Sequence, residues 1–397
     1  MKKLLLALIL VPVMSLKAQE KAIELAHKFI ITDGHVDLPY RLKVQNFQLT
    51  KEYTGIPVES ENGEFDFKRA KEGGLDAPFM SIYIPASYTQ EGGKKLADSL
   101  INMVEYIAKE DKDYFQIATS PKEVRKAFKK GKIALPMGME NGSPVGSIED
   151  IAYFKKRGIS YITLTHSKVN QLGDSSYDTT RVWQGLSPFG EEVVQEMARQ
   201  GIMIDISHVS DSTFYDVMKI TPIPVIASHS SLRHFTPDFE RNMTDEMVKM
   251  VKENNGVIMI NFGSTFLDGK VTETRNTLRK EMMEMLEEKG LGMRDPSARE
   301  LIRAFGESHP EMYSDVEMVV NHIERVVDLA GVDHVGFGSD FDGVGDSLPL
   351  GLKDVSDYPN IINLLLEKGY SDEDIEKICS GNLFRVWQAT LDYAKKH

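Results

Sequence analysis

The chain has 397 residues, a single cysteine (Cys379) and a net charge of −13 at neutral pH. One cysteine excludes an intrachain disulfide, and the acidic balance argues against nucleic acid or an anionic membrane surface as a partner. The length suffices for one large core, and an α/β barrel can use it as a single domain.

The N-terminus runs Met1-Lys2-Lys3, an apolar stretch from Leu4 to Val13, then Ala18-Gln19. A basic start, a short apolar core and a small residue at the cut are the pattern of a secretory signal peptide, too short to span a membrane. The expectation is a signal over 1–18, an exported (periplasmic or secreted) protein, and one catalytic domain over 19–397. The tail ending Tyr393-Ala394-Lys395-Lys396-His397 lacks the apolar stretch of a lipid-anchor signal, so no membrane anchor is expected.

Glu20 to Lys28 is helical in pattern and leads into strand one, 29–37, which ends His35-Val36-Asp37. On an extended chain residues i and i+2 share a face, so His35 and Asp37 can hold one ion together. A long loop over 42–62 and a short helix over 65–72 precede strand two, 77–84. Helices over 93–109 and 121–130 follow, the second with Pro121 at its start and Gly131 after its end. Strand three spans 132–140 and closes on Glu140. After a helix over 148–157, strand four spans 159–166 and closes on His166.

A helix over 188–199 leads to the two runs that organise the chain, 202–208 and 224–230, carrying His208 and His229 at their ends. Short Ile/Val-rich runs bounded by polar residues read as buried parallel strands with a helix between them. Parallel β-α-β repeats bring the carboxyl ends of all their strands to one face, so the two imidazoles should be neighbours. Strand seven spans 256–262 and strand eight 334–340, ending on Asp340. Between them lies a charged helical insertion, about 267–313, expected to cover the mouth as a lid. Helices over 358–368 and 372–395 close the chain.

Eight strands alternating with helices predict a (β/α)8 TIM-type barrel with a helical insertion between strands seven and eight; a doubly wound sheet is the alternative. The polar strand ends favour the barrel, whose active sites lie on the C-terminal face. Three histidines and two carboxylates exceed what one tetrahedral zinc needs and suit two ions sharing a ligand. Glu140 fits the bridging role, because each of its oxygens can take one ion. Two such ions lower the pKa of a trapped water far enough to give hydroxide at neutral pH, so the expected chemistry is hydrolysis, with zinc favoured by imidazole and carboxylate ligands together and manganese, cobalt or iron as the alternatives.

The motifs His35-Val36-Asp37-Leu38-Pro39, Gly138-Met139-Glu140-Asn141-Gly142, Leu164-Thr165-His166, Asp205-Ile206-Ser207-His208-Val209-Ser210, Ser228-His229-Ser230-Ser231, Arg241-Asn242 and Gly336-Phe337-Gly338-Ser339-Asp340-Phe341-Asp342-Gly343 resemble those of the membrane dipeptidase (renal dipeptidase) family of binuclear zinc peptidases. The resemblance runs across nearly all of 19–397. It implies one zinc on His35, Asp37 and Glu140 and a second on Glu140, His208 and His229. By the same resemblance His166 would polarise the scissile carbonyl, Asp340 would pass a proton from the bridging water to the leaving amine, and Arg241 would grip the substrate's free carboxylate. Tyr40 and Tyr83 would line the pocket, and the substrates would be small dipeptides, those with a C-terminal D residue included. A homodimer is a further family expectation. Phe266 departs from the pattern, standing where the animal enzymes align a tyrosine; Asp342 receives no role.

Two other readings stay open at this stage. One is a different binuclear amidohydrolase, acting as a lactonase, deacetylase or β-lactam hydrolase. The other is a non-catalytic metal-binding protein. Of the remaining histidines, His27, His234, His309, His322 and His397 are expected in solvent and His334 to be structural. Arg241 could alternatively be a surface salt-bridge partner.

Overall fold

The computed structural model describes residues 18–44, 57–292 and 295–397. The expected signal segment therefore lies outside the described residues except for Ala18. Among the described residues no helix is long and apolar enough to cross a membrane.

Among the described residues ten strands form: β1 (Ile31–Val36), β2 (Leu75–Tyr83), β3 (Phe115–Ile117), β4 (Ile133–Leu135), β5 (Met137–Glu140), β6 (Ile159–Thr163), β7 (Met203–Asp205), β8 (Ile226–Ala227), β9 (Val257–Ile260) and β10 (Val335–Phe337). Eight close into a parallel barrel in the order β1-β10-β9-β8-β7-β6-β5-β2, with the surrounding helices of a (β/α)8 fold. The predicted third strand is in fact two. Pro136 has no N–H to extend a ladder, and it divides the run. Residues before it pair with β3 outside the barrel, and those after it pair with β2 and β6 inside. The Pro136 carbonyl still accepts the Met80 N–H at 2.8 Å, which keeps the two halves in line.

Alternation along the strands divides the apolar residues between two clusters. Ile162, Ile204, Ile258 and Ile260 face the helices. Tyr161, Met203, Ile226, Val257 and Met259 face inward, in one cluster with Phe79 and with Phe384 and Trp387 of the helix Asn382–Ala394. Met203 and Val257 begin their strands, so that helix stoppers the N-terminal end of the barrel. The helices obey local rules: Ser187 caps Pro188–Gln200 by accepting the Gly190 N–H, and Gly201 ends it at φ +72°, a conformation glycine adopts without penalty.

His322 corrects the expectation of a solvated side chain. It lies on the inner face of Val316–Ala330, fully buried. Its ring nitrogens meet the Leu232 N–H at 3.1 Å and the Leu267 carbonyl at 2.9 Å, and burial pushes its pKa down to about 4. His334 is buried against the Gly256 carbonyl, a structural position as expected.

Candidate active site

The C-terminal mouth of the barrel gathers the strand-end residues. His35 is the penultimate residue of β1 and Glu140 the last of β5, while His166, His208, His229 and Asp340 follow β6, β7, β8 and β10 within three residues. Glu140 stands at the centre. Its Oε2 lies 3.3 Å from His35 Nε2, and its Oε1 lies 3.1, 3.4 and 3.5 Å from Nε2 of His208, His229 and His166. Asp37 Oδ2 is 3.5 Å from His35 Nε2. His35, Asp37 and Asp340 form a second convergent group, with ligand atoms within 4.8 Å of one another. His208 and Asp340 hold φ at +66° and +63°, backbone strain of a kind that gathers at functional sites.

The hydrogen bonds behind the imidazoles decide which nitrogen faces the centre. Tyr161 Oη donates to the Gly34 carbonyl at 3.0 Å, so it must accept from His35 Nδ1 at 2.8 Å. Ser228 Oγ donates to Asp205 Oδ2 at 2.6 Å and likewise accepts from His229 Nδ1 at 2.7 Å. In the neutral rings both protons therefore sit on Nδ1, and both Nε2 lone pairs point inward, the orientation of a metal ligand. Asp205 is itself fixed by the N–H groups of Ser207 and Ser228. Tyr161, Asp205 and Ser228 escaped the sequence reading as functional positions. The available signals were an Asp two or three residues before a strand-end histidine and a Tyr inside an apolar strand.

The electrostatics suit a cation. Burial holds His208 and His229 well below the ordinary imidazole range, so both rings are neutral, although Nε2 of one lies only 2.8 Å from Nε2 of the other. Burial would raise Glu140, but the histidines outweigh it and hold the carboxyl well below its usual range. Burial also opposes charge on His35, and there Tyr161, Glu140 and Asp37 prevail, raising its pKa well above normal. His35 Nε2 and Asp37 Oδ1 are buried without a hydrogen-bond partner. Buried lone pairs around a stable carboxylate, with one imidazole drawn towards positive charge, fit a metal cluster.

Asp340 is different. Burial, with Asp37 and Glu140 adding repulsion, pushes its carboxyl up to about 7, against His35 and a 2.8 Å hydrogen bond from Asn261 Nδ2 to Oδ2. A cavity of about 360 Å³ opens above these groups, lined in part by Tyr83, His166, Tyr177, Phe266 and Asp340. Tyr40 stands behind Tyr83, edge-on at 4.8 Å. Thr265 and Phe266, just before the predicted insertion, line this cavity, and no described residue of 267–313 does. Arg241 is 3% exposed, with no carboxylate in ion-pair reach among the described residues, which removes the surface salt-bridge alternative. Its fork donates to Ser230 Oγ at 2.8 Å and the His229 carbonyl at 2.7 Å, its Nε has no partner, and it sits behind the Phe266 ring at 5.5 Å.

The family model of membrane dipeptidases, peptidase family M19, matches residues 19–397. The chain belongs to the membrane dipeptidase family. Among curated relatives, dipeptidase tcpJ of Claviceps purpurea is 31% identical over 375 residues, covering 91% of this chain and 77% of the relative. The probable dipeptidase PvdM from Pseudomonas aeruginosa shares the fold at TM-score 0.79 and 23% identity, covering 95% of this chain and 99% of its own. A metallopeptidase from Rhodobacter sphaeroides, solved with a phosphinate mimic of the dipeptide L-Ala-D-Ala, aligns at TM-score 0.72 and 23% identity over 91% and 99% of the two chains. Membership of M19 makes this chain a metallo-dipeptidase.

Proposed function

We propose that this metallo-dipeptidase is an exported, single-domain enzyme that uses two zinc ions to hydrolyse dipeptides with a free C-terminal carboxylate, L-D dipeptides included. The observation that carries the reading is the split of Glu140. One oxygen faces His35 and the other faces His208 and His229, so a single carboxylate serves two ligand groups. His35, Asp37 and Glu140 would hold one ion, and Glu140, His208 and His229 the other. Bound there, the ions would supply Lewis acidity to the scissile carbonyl and acidify water at neutral pH.

The protein groups then have defined work. His166, neutral because burial lowers its pKa, can donate a hydrogen bond to the carbonyl oxygen as negative charge develops there. Asp340, poised near neutrality, can take a proton from water and return it to the departing amine. Asn261 occupies one of its oxygens, leaving the other for that transfer. The unpartnered Nε of Arg241 and its remaining N–H groups suit a planar carboxylate. Tyr83, backed by Tyr40, walls a cavity whose size fits a small peptide. The phosphinate dipeptide mimic held by the R. sphaeroides relative supports the L-D class.

The test is hydrolysis of L-L and L-D dipeptides by metal-stripped protein during titration with zinc. Activity that saturates near two zinc per chain, and is absent on N-acetylated tripeptide amides, is the expected result. Two tightly bound metals without dipeptide cleavage would overturn the substrate reading, and saturation at one zinc would overturn the two-ion reading.

A further inference from the structure

Asp342 lies two residues beyond Asp340 and outside the cluster just described, yet its side chain is completely enclosed. Its Oδ1 accepts the Glu64 N–H at 2.7 Å and forms an ion pair with Arg41, whose Nε lies 3.1 Å away, while its own N–H donates to Glu64 Oε2 at 2.6 Å. Arg41 spends the rest of its fork on backbone, donating to the Asn62 carbonyl at 2.7 Å and the Phe65 carbonyl at 3.4 Å. The fit around it is close: a Cβ on Gly63, which holds φ +72°, would fall 1.8 Å from Arg41 Nη1. A buried charge pair with this many bonds is costly to break, because either partner alone would be stranded without water.

What the clamp joins is informative. Arg41 belongs to the helix Leu38–Val44, directly after Asp37, and its N–H donates to the Asp37 carbonyl at 3.0 Å. Asp342 belongs to the turn after β10, where Asp340 and Asp342 both adopt left-handed backbone, at φ +63° and +66°. Two ladder-like bonds tie the segments, Asp37 N–H to the Phe341 carbonyl at 2.8 Å and Asp340 N–H to the His35 carbonyl at 3.1 Å. Both carboxylates then lie against Gly343, where a Cβ would fall 2.2 Å from Asp37 Oδ2 and 2.3 Å from Asp340 Oδ1. Two successive excursions into left-handed backbone persist only where the surroundings over-determine them.

We propose that Asp342, clamped between Arg41 and Glu64, is a positioning residue for Asp340: it fixes the 340–343 turn so that the Asp340 carboxyl faces the reacting centre beside Asp37. The proposal rests on the reading of Asp340 as the proton carrier. Asp342 belongs to none of the candidate metal-ligand groups and does not line the cavity; an effect carried instead through Asp37, to whose carbonyl Arg41 donates, would show as lost metal, whereas an effect through Asp340 leaves metal content unchanged.

The experiment is a double-mutant cycle on the zinc-loaded full chain, with L-Ala-D-Ala as the probe and metal content and thermal midpoint measured on every variant. Asp342→Asn keeps a side chain that tolerates left-handed backbone and can still accept the Glu64 N–H, but it removes the charge that holds Arg41. The expected result is a kcat lower by about tenfold or more, with KM and metal content at wild-type values. In an Asp340→Asn background the same change should do nothing further. A full, multiplicative loss in the double variant would overturn the proposal, as would wild-type kcat in Asp342→Asn. Wild-type kcat in Asp340→Asn would overturn the proton-carrier reading itself, a separate failure. If Asp342→Asn does not fold, Arg41→Lys releases the clamp from its other side, and the same comparison with Asp340→Asn decides.

Discussion

Removing one hydroxyl, in Tyr161→Phe, tests the claim that hydrogen bonds behind the imidazoles prepare the site. The phenol bridges His35 Nδ1 and the Gly34 carbonyl, at 2.8 and 3.0 Å, and it is fully buried. The ring itself should stay in place, since Phe79 stacks on it at 5.5 Å and Gly138 leaves room beneath it. The substitution therefore strands one donor and one acceptor, at about 1–3 kcal/mol each. Unfolding entropy of about 2 cal/mol/K per residue converts a loss of about 3 kcal/mol into a midpoint lower by about 4 °C in a chain of this length. Freed from its partner, His35 no longer has a fixed tautomer, and metal affinity should fall by about 10–100-fold. Calorimetry of the metal-free protein and zinc competition against a chelator measure the two effects. A variant that binds zinc as tightly as wild type, with an unmoved midpoint, would refute the argument that Tyr161 sets the His35 lone pair.

Arg241→Ala should raise KM for dipeptides with a free carboxylate by about 10–100-fold, the worth of a hydrogen bond to a charged group, and leave dipeptide amides unaffected; steady-state kinetics on matched pairs measure it. Gly343→Ala should cut kcat/KM by about a hundredfold, because its methyl would displace the Asp37 and Asp340 carboxylates by about an ångström. Glu64→Gln should flatten the pH dependence of stability. Burial, then Asp342, pushes the Glu64 carboxyl up to about 9 from its ordinary 4.5. The folded chain thus keeps a proton that the unfolded chain releases, and the stability this contributes is full below pH 4.5 and is lost as pH rises to about 9. The metal-free variant should lose less thermal midpoint than wild type between these limits, and equal slopes by scanning calorimetry would contradict the assignment.

The convergence of the candidate metal-site residues was legible because each closes a run of apolar residues, and a polar group at a buried strand end has few structural uses. His35, Glu140, His208 and His229 needed only the parallel topology to become neighbours. Tyr161 and Ser228 were not legible as functional, because their work lies in tertiary pairs: Tyr161 serves a histidine 126 positions earlier. Pro136 was visible, but nothing nearby announced that Phe115–Ile117, three residues long, would pair with the run before it. His322 was misplaced because one polar residue on a helix gives no hint of its face until Val319, Ile323 and Val326 are seen to be buried around it. Arg241-Asn242 could be aligned, yet only packing shows the guanidinium lodged behind Phe266.

The stopper at the base of the barrel bears on the order in which the molecule can come into being. β1 pairs with β10, Thr32 donates to the carbonyl of Cys379, 347 residues further on, and Trp387 fills the lower interior. A ribosome or an export channel releases the first strand long before the last helix, so the growing chain cannot close its barrel early. Contacts this distant in sequence make for slow closure. The residues around Glu140 span positions 35 to 229, and Asp340 arrives with the final strand. On the two-ion reading, the barrel that would hold the ions cannot close before this late event, and a chain cut short of residue 382 would lack the helix that stoppers it.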